Sequence, residues 1–122
     1  MKDFEFKVRR MVGMEAKILH LTLTEDWFIE IREGRKDKEF REMKDYWIKR
    51  LTQRFSRTAG RHVFQQKSYD LIIFTNGYGE HRPKMAVWLK DIATTFQGDR
   101  SIGAPEGECF ELRLGKIILT KE

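Results

Sequence analysis

The sequence predicts an α+β chain folded as a small, bent, mixed β-barrel of about six strands, with two helices in its first half. Three observations carry this. Leu71, Ile72, Ile73 and Phe74 form a continuous apolar run of strand length, the pattern of a strand covered on both faces. Met85, Val87 and Leu89, and later Phe110, Leu112 and Leu114, recur at every second position, which is strand period. Trp27 with Ile31, and Trp47 with Leu51 and Phe55, stand at helical spacing instead.

Taken in order, residues 1–16 read as an N-terminal arm or edge strand, because Phe4, Phe6 and Val8 alternate with Glu5, Lys7 and Arg9. The main domain spans 17–122. It opens with a strand over 17–23, rich in Ile18, Leu19, Leu21 and Leu23. Thr24 offers an N-cap hydroxyl to a helix over 25–33, and Glu25 and Asp26 place negative charge where the helix dipole favours it. Gly34 stands where a left-handed C-terminal cap belongs. A strand over 38–43 follows, then a helix over 46–55 capped by Asp45. Residues 56–67, with Thr58, Ala59 and Gly60 among arginines, read as a basic loop.

The apolar strand over 69–75 runs into the turn residues Asn76, Gly77, Tyr78 and Gly79, and Pro83 closes that loop. The strand with Met85, Val87 and Leu89 comes next. Residues 97–107 hold three glycines and Pro105 and form a long loop suited to a lid. In the last strand the apolar set changes parity from Phe110, Leu112 and Leu114 to Ile117, Ile118 and Leu119, which places a bulge or tight turn at Gly115-Lys116.

A length of 122 residues bounds the chain to one domain with one core. With 35% charged and 40% hydrophobic residues the composition is globular rather than disordered. No apolar run approaches the ~20 residues of a membrane helix, so no membrane partner is expected. Residues 1–14 lack the apolar stretch of a secretory signal. The lone Cys109 excludes an intrachain disulfide and fits a reducing, cytoplasmic location. His20, His62 and His81 are scattered, so neither a metal site nor a cofactor is expected.

The charge is uneven. The net charge is +5, while Lys49, Arg50, Arg54, Arg57, Arg61 and Lys67 supply six cations with no acid between them, leaving +5 − 6 = −1 for the remainder. A basic segment on a near-neutral body is the footprint of a polyanion binder, with these six residues following a nucleic-acid backbone. The alternative is a solvated loop that keeps the chain soluble.

The densest constellation lies at 34–41. Glu39 and Arg41 share one face of a strand, and Lys36 joins them only if the chain bends between Gly34 and Lys38. Lys36 beside Glu39 suits a charged clamp on an anion better than a base, since the carboxylate favours the charged lysine. Arg41 suits bidentate contact with a phosphate or base edge, and Glu39 suits an exocyclic amine. A structural ion pair between Glu39 and Arg41 is the competing reading. Tyr46 and Tyr78 are the candidates for stacking on a base, whereas Trp47 continues a core face. Asn76 could read a base edge, but Asn-Gly is first a turn.

Gly34, Lys36, Glu39 and Arg41 match the G-x-K-x-x-E-x-R signature of the ASCH domain family, and the chain resembles that family from about residue 17 to residue 120. A strand and helix precede the signature, a Tyr-Trp helix follows it, and an apolar strand runs into Asn76-Gly77-Tyr78. The resemblance implies a PUA-like β-barrel with a cleft beside the signature for RNA or a modified nucleotide. Some similar proteins are catalytic: amidohydrolases of acylated cytidine-type nucleosides, and a ribonuclease. The amidohydrolases place a threonine three residues after the lysine, where this chain has Glu39, so their nucleophile is missing here.

Three functions follow as expectations. The first is an RNA- or nucleotide-binding module using Lys36, Glu39, Arg41, Tyr46, Asn76 and Tyr78. The second is a metal-independent hydrolase of a modified nucleoside or of RNA, with Lys36 and Glu39 as candidate catalytic residues. The third is a module for protein or an acidic metabolite.

Overall fold

The computed structural model describes residues 3–58, 61–96 and 98–122. Along them run α1 (Asp3–Val12), β1 (Ile18–Leu23), α2 (Glu25–Arg32), β2 (Lys38–Glu42), α3 (Asp45–Leu51), β3 (Thr52–Thr58), β4 (Arg61–Gln66), β5 (Leu71–Asn76), β6 (Lys84–Thr95) and β7 (Cys109–Lys121). A short 3-10 turn occupies Arg100–Ile102 in the last long loop. Five strands form one curled sheet in the order β1-β5-β6-β7-β2. β1 and β5 are parallel and the other neighbours antiparallel, so the sheet is mixed. β3 and β4 make a separate antiparallel ribbon. The α+β class and the mixed, bent sheet agree with the sequence. The barrel is only half formed, however, and the described residues hold seven strands and three α-helices rather than about six and two.

The concave face of the sheet holds the main core, where Leu21, Phe74, Val87 and Phe110 meet Phe28 and Ile31 of α2. α2 ends as expected: Gly34 adopts a left-handed φ of +78°, which a side chain would resist. Thr24 occupies the N-cap position, but its hydroxyl makes no capping hydrogen bond.

The N-terminal segment corrects the sequence reading. It is neither an arm nor an edge strand but an α-helix, with Phe4 and Val8 at i, i+4 packed on Leu71, Ile73 and Ala86. Phe6, which an alternating strand would bury with them, is exposed. Five residues of alternation are too few to separate period 2 from period 3.6. The physical demand comes from β5. Its Ile72 and Phe74 face the main core, so Leu71 and Ile73 need a second cover, and α1 supplies it.

Two further boundaries move. α3 stops at Leu51, and the described residues of the 56–67 segment lie mostly in two paired strands, β3 and β4, rather than in a loop, while Ala59 and Gly60 lie outside the described residues. Phe55 reaches the core from a strand rather than a helix, paired with Phe64 across the ribbon. The parity slip in β7 is real. Register runs from Val87 opposite Ile117 to Leu89 opposite Leu114, so β7 carries an extra residue at Gly115–Lys116. Bulges of this kind let the long strands β6 and β7 bend into the curl. No helix among the described residues is long and apolar enough to cross a membrane.

Candidate functional site

The edge strands β1 and β2 approach each other across an open seam, and the 34–41 stretch builds its floor. After α2 the carbonyl of Glu30 accepts from the amides of both Arg35 (3.0 Å) and Lys36 (3.1 Å), which turns the chain back on itself. Lys36 Nζ thereby reaches 3.2 Å from Glu39 Oε1, while Arg41 Nη2 lies 2.7 Å from Glu39 Oε2. Glu39 and Arg41 point to the face they share with Leu112 and Phe110, toward the core. One carboxylate therefore lies between two cations, and the side chains of Lys36, Glu39 and Arg41 are only 9%, 8% and 16% exposed.

The bend expected between Gly34 and Lys38 is present, but it hides Lys36. Its ammonium lies 3.9 Å from the centroid of the Trp27 ring, a cation–π geometry. The loop expected as a lid passes over it: a Cβ on Gly103 would come within 3.1 Å of Trp27 and 3.2 Å of Lys36 Nζ, and Gly103 also has φ +79°. Lys36 borders a recess of about 390 Å³ with Glu30 and Arg35, which meets the seam only at Trp27.

Arg41 bridges the seam. Its Nη2 also donates to the Thr22 carbonyl on β1 (3.0 Å), its guanidinium stands 4.8 Å over the Trp47 ring, and its Nε has no acceptor among the described residues. Around it lie three neighbouring compartments, all bordered by Thr22. The first, about 300 Å³ within the seam, has Glu39 and Arg41 with Trp27 and Trp47 on its walls. The second, about 500 Å³ at the rim of β1, is lined by Arg41, Lys44 and Arg50 with Tyr46, Trp47 and Tyr78, and by no acid. The third, about 610 Å³ on the outer face, lies between α1 and the turn that follows β5.

These compartments gather part of the expected set. Arg41, Tyr46 and Tyr78 line the cationic compartment, and Tyr78 is 87% exposed. Arg50, expected to follow a nucleic-acid backbone, belongs there too. It donates to the Tyr46 hydroxyl (3.0 Å) and to the His20 carbonyl (3.1 Å). Asn76 is buried in its turn: its amide donates to Pro83 O (2.9 Å) and its side-chain oxygen accepts from Arg82.

Of the remaining basic residues, Lys67, Arg57 and Arg54 do not lie on one face. Lys67 folds onto the Lys49 carbonyl (2.6 Å), Arg57 lies over the Phe55 ring, and Arg54, at odd parity to Arg57, projects from the other face of the ribbon. Arg61 belongs to β4, and its side chain lies outside the described residues. Sequence reasoning missed Trp27, Thr22, Lys44 and His20. Only folding brings them to the seam, since no short motif links strand β1 to the start of α3.

Beside the outer compartment His20 Nε2 meets Glu5 Oε1 at 3.0 Å, and Arg9 Nε holds Glu5 Oε2 at 3.0 Å. Burial holds the His20 imidazole below its usual range, against the pull of Glu5, and Lys84 and Arg50 push the same way. For Glu5, burial acts upward, but the Arg9 hydrogen bond and the charges of His20 and Arg9 leave it lowered. Both groups bind protons more weakly folded than unfolded, so the unfolded chain gains protons first on acidification. Stability is expected to be level above the usual histidine value of 6.5 and to fall below it, with Glu5 adding to the fall below 4.5. Melting temperatures between pH 7.5 and 5 check this, and His20→Gln should flatten the upper part. A melting temperature that rises on acidification would contradict it.

The Cys109 thiol is fully buried, and burial together with Glu111 pushes its pKa up, so it is not poised as a nucleophile. Comparison with protein-family models, with curated proteins and with solved structures gave no match.

Proposed function

We propose that the chain is an RNA- or nucleotide-binding module, PUA-like and of the ASCH type, whose groove over the β1–β2 seam takes a base and its phosphate. The observation that carries this reading is the contact between two unlike compartments. One joins a buried carboxylate to two tryptophans, and the other presents three cations and three aromatic rings without an acid. A nucleotide has the matching halves: a flat ring with exocyclic donors, and an anion. Phosphate falls to Arg41, Lys44 and Arg50 rather than to Lys36, which is covered. The base lies toward Trp27 and Trp47, where Glu39 still has lone pairs beyond those taken by its two cations. The hydrolase reading has less support, since Glu39 stands where the similar amidohydrolases have a threonine and is bound on both oxygens.

Binding of a fluorescent single-stranded RNA oligonucleotide, titrated from 50 to 200 mM salt, tests the proposal. Affinity should fall with salt at a logarithmic slope of about −0.7 per phosphate contacted. Arg50→Ala should lower the slope by about one contact and weaken binding roughly tenfold, whereas Arg54→Ala, on the outer face of the ribbon, should do less. Absence of binding, or binding indifferent to salt, would refute the proposal.

A further inference from the structure

The groove does not stop at the cationic rim. His20 and Tyr78 border both the rim and the outer compartment, and Thr22 borders all three spaces, so one surface runs from the seam over the edge of β1 to the outer face of the sheet. The outer compartment differs in kind from the rim. Strand register sets Thr22 beside Thr75, and Thr75 beside Lys84, giving a polar floor across β1, β5 and β6. The Lys84 ammonium donates to the Thr75 hydroxyl at 3.0 Å. Phe4 and Ile73 supply an apolar wall, and Glu5, His20 and Glu80 stand around it.

The succession along the surface is thus aromatic and acidic, then cationic, then mixed apolar and polar. It fits a base, a phosphate and a second nucleoside. A space of about 610 Å³ lies in the range that ordinary ligand pockets occupy, and its threonines and histidine can pair with ribose hydroxyls and a base edge. His20 is fixed for such a role. With Nε2 held by Glu5 and Glu5 held by Arg9, a neutral imidazole keeps its lone pair on Nδ1 as an acceptor.

We infer that the cavity between α1 and the turn after β5 is a second nucleoside subsite, so that the ligand unit is two nucleosides joined by a phosphodiester across the Arg41–Arg50 rim. The inference rests on the nucleotide-binding reading of the seam and extends it. A free dinucleotide and one step of an RNA strand share this chemistry.

Calorimetric titration with a nucleoside monophosphate, a dinucleoside monophosphate and a tetranucleotide tests it. The dinucleoside monophosphate should bind about tenfold or more tighter than the mononucleotide, as one added stacked base allows. Thr75→Leu, which fills the floor, should abolish that gain and leave mononucleotide affinity unchanged. Thr75→Val keeps the shape, shows that the position tolerates change, and should lose only part of the gain. Equal affinity for the mononucleotide and the dinucleoside monophosphate would overturn the second subsite and leave the seam reading intact. A gain that survives Thr75→Leu would also overturn it, and failure of all three ligands to bind would overturn both. If the subsite holds, a tetranucleotide no tighter than the dinucleoside monophosphate identifies a free dinucleotide, and a tighter one identifies a strand.

Discussion

Glu39→Ala is expected to lower the stability of the fold by about 3–5 kcal/mol, the cost of breaking a buried ion cluster from one side. The carboxylate is held by Lys36 at 3.2 Å and Arg41 at 2.7 Å, and all three side chains are largely withdrawn from water. Its removal leaves two cations covered by Gly103 and Trp47 with no counter-charge. The melting temperature should drop by on the order of 10 °C or more. Lys36→Met is the informative partner. It keeps an unbranched chain against Trp27 while Glu39 retains Arg41, so it should cost much less. Calorimetric melting of both variants decides the matter. If Glu39→Ala melts within a degree or two of the parent, water reaches the cluster and the ion pairs contribute little. Lys36, which the sequence suggests as a phosphate clamp, would on this view act on ligand only by holding Glu39 in place.

Phe4→Ala is expected to cost about 3 kcal/mol, at the low end for a buried phenylalanine because it lies near one end of α1. Phe4 and Val8 are the only described residues of α1 that are fully withdrawn, and they close the second face of β5 over Leu71, Ile73 and Ala86. Urea unfolding should show a lower midpoint with an unchanged slope. A change under 1 kcal/mol would mean that α1 rests on the sheet without stabilising it.

That helix marks where the sequence stops being legible. The continuous apolar run of Leu71 to Phe74 states that β5 is covered twice, yet nothing local says by what. The covering residues lie more than sixty positions away, and their short pattern fits two periods. Elsewhere local chemistry was enough. Gly34 ends α2 in the left-handed conformation, and the slip from Leu114 to Ile117 marks a bulge. The site divides the same way. Spacing showed that Glu39 and Arg41 share a face and that a bend must bring Lys36 to them, but not that Trp27 and Gly103 would then bury it. The segment 56–67 failed for another reason. A run of arginines reads as solvated loop, while Phe55 and Phe64, nine residues apart, are what tie its strands to the core.

The seam has a consequence for how the molecule avoids its own kind. β1 is an edge strand, and the carbonyls of His20 and Thr22, two residues apart, leave it on one side. A bare row of such acceptors recruits a strand from another chain and begins aggregation. Here each is taken by a guanidinium of the same chain, His20 O by Arg50 at 3.1 Å and Thr22 O by Arg41 at 3.0 Å. Two arginines therefore act as a stopper on the sheet, where other edges rely on a proline or an outward lysine. These are also the arginines at the cationic rim, so an anion that draws them away would unplug the edge it docks against, and occupancy and self-association would be coupled through two side chains.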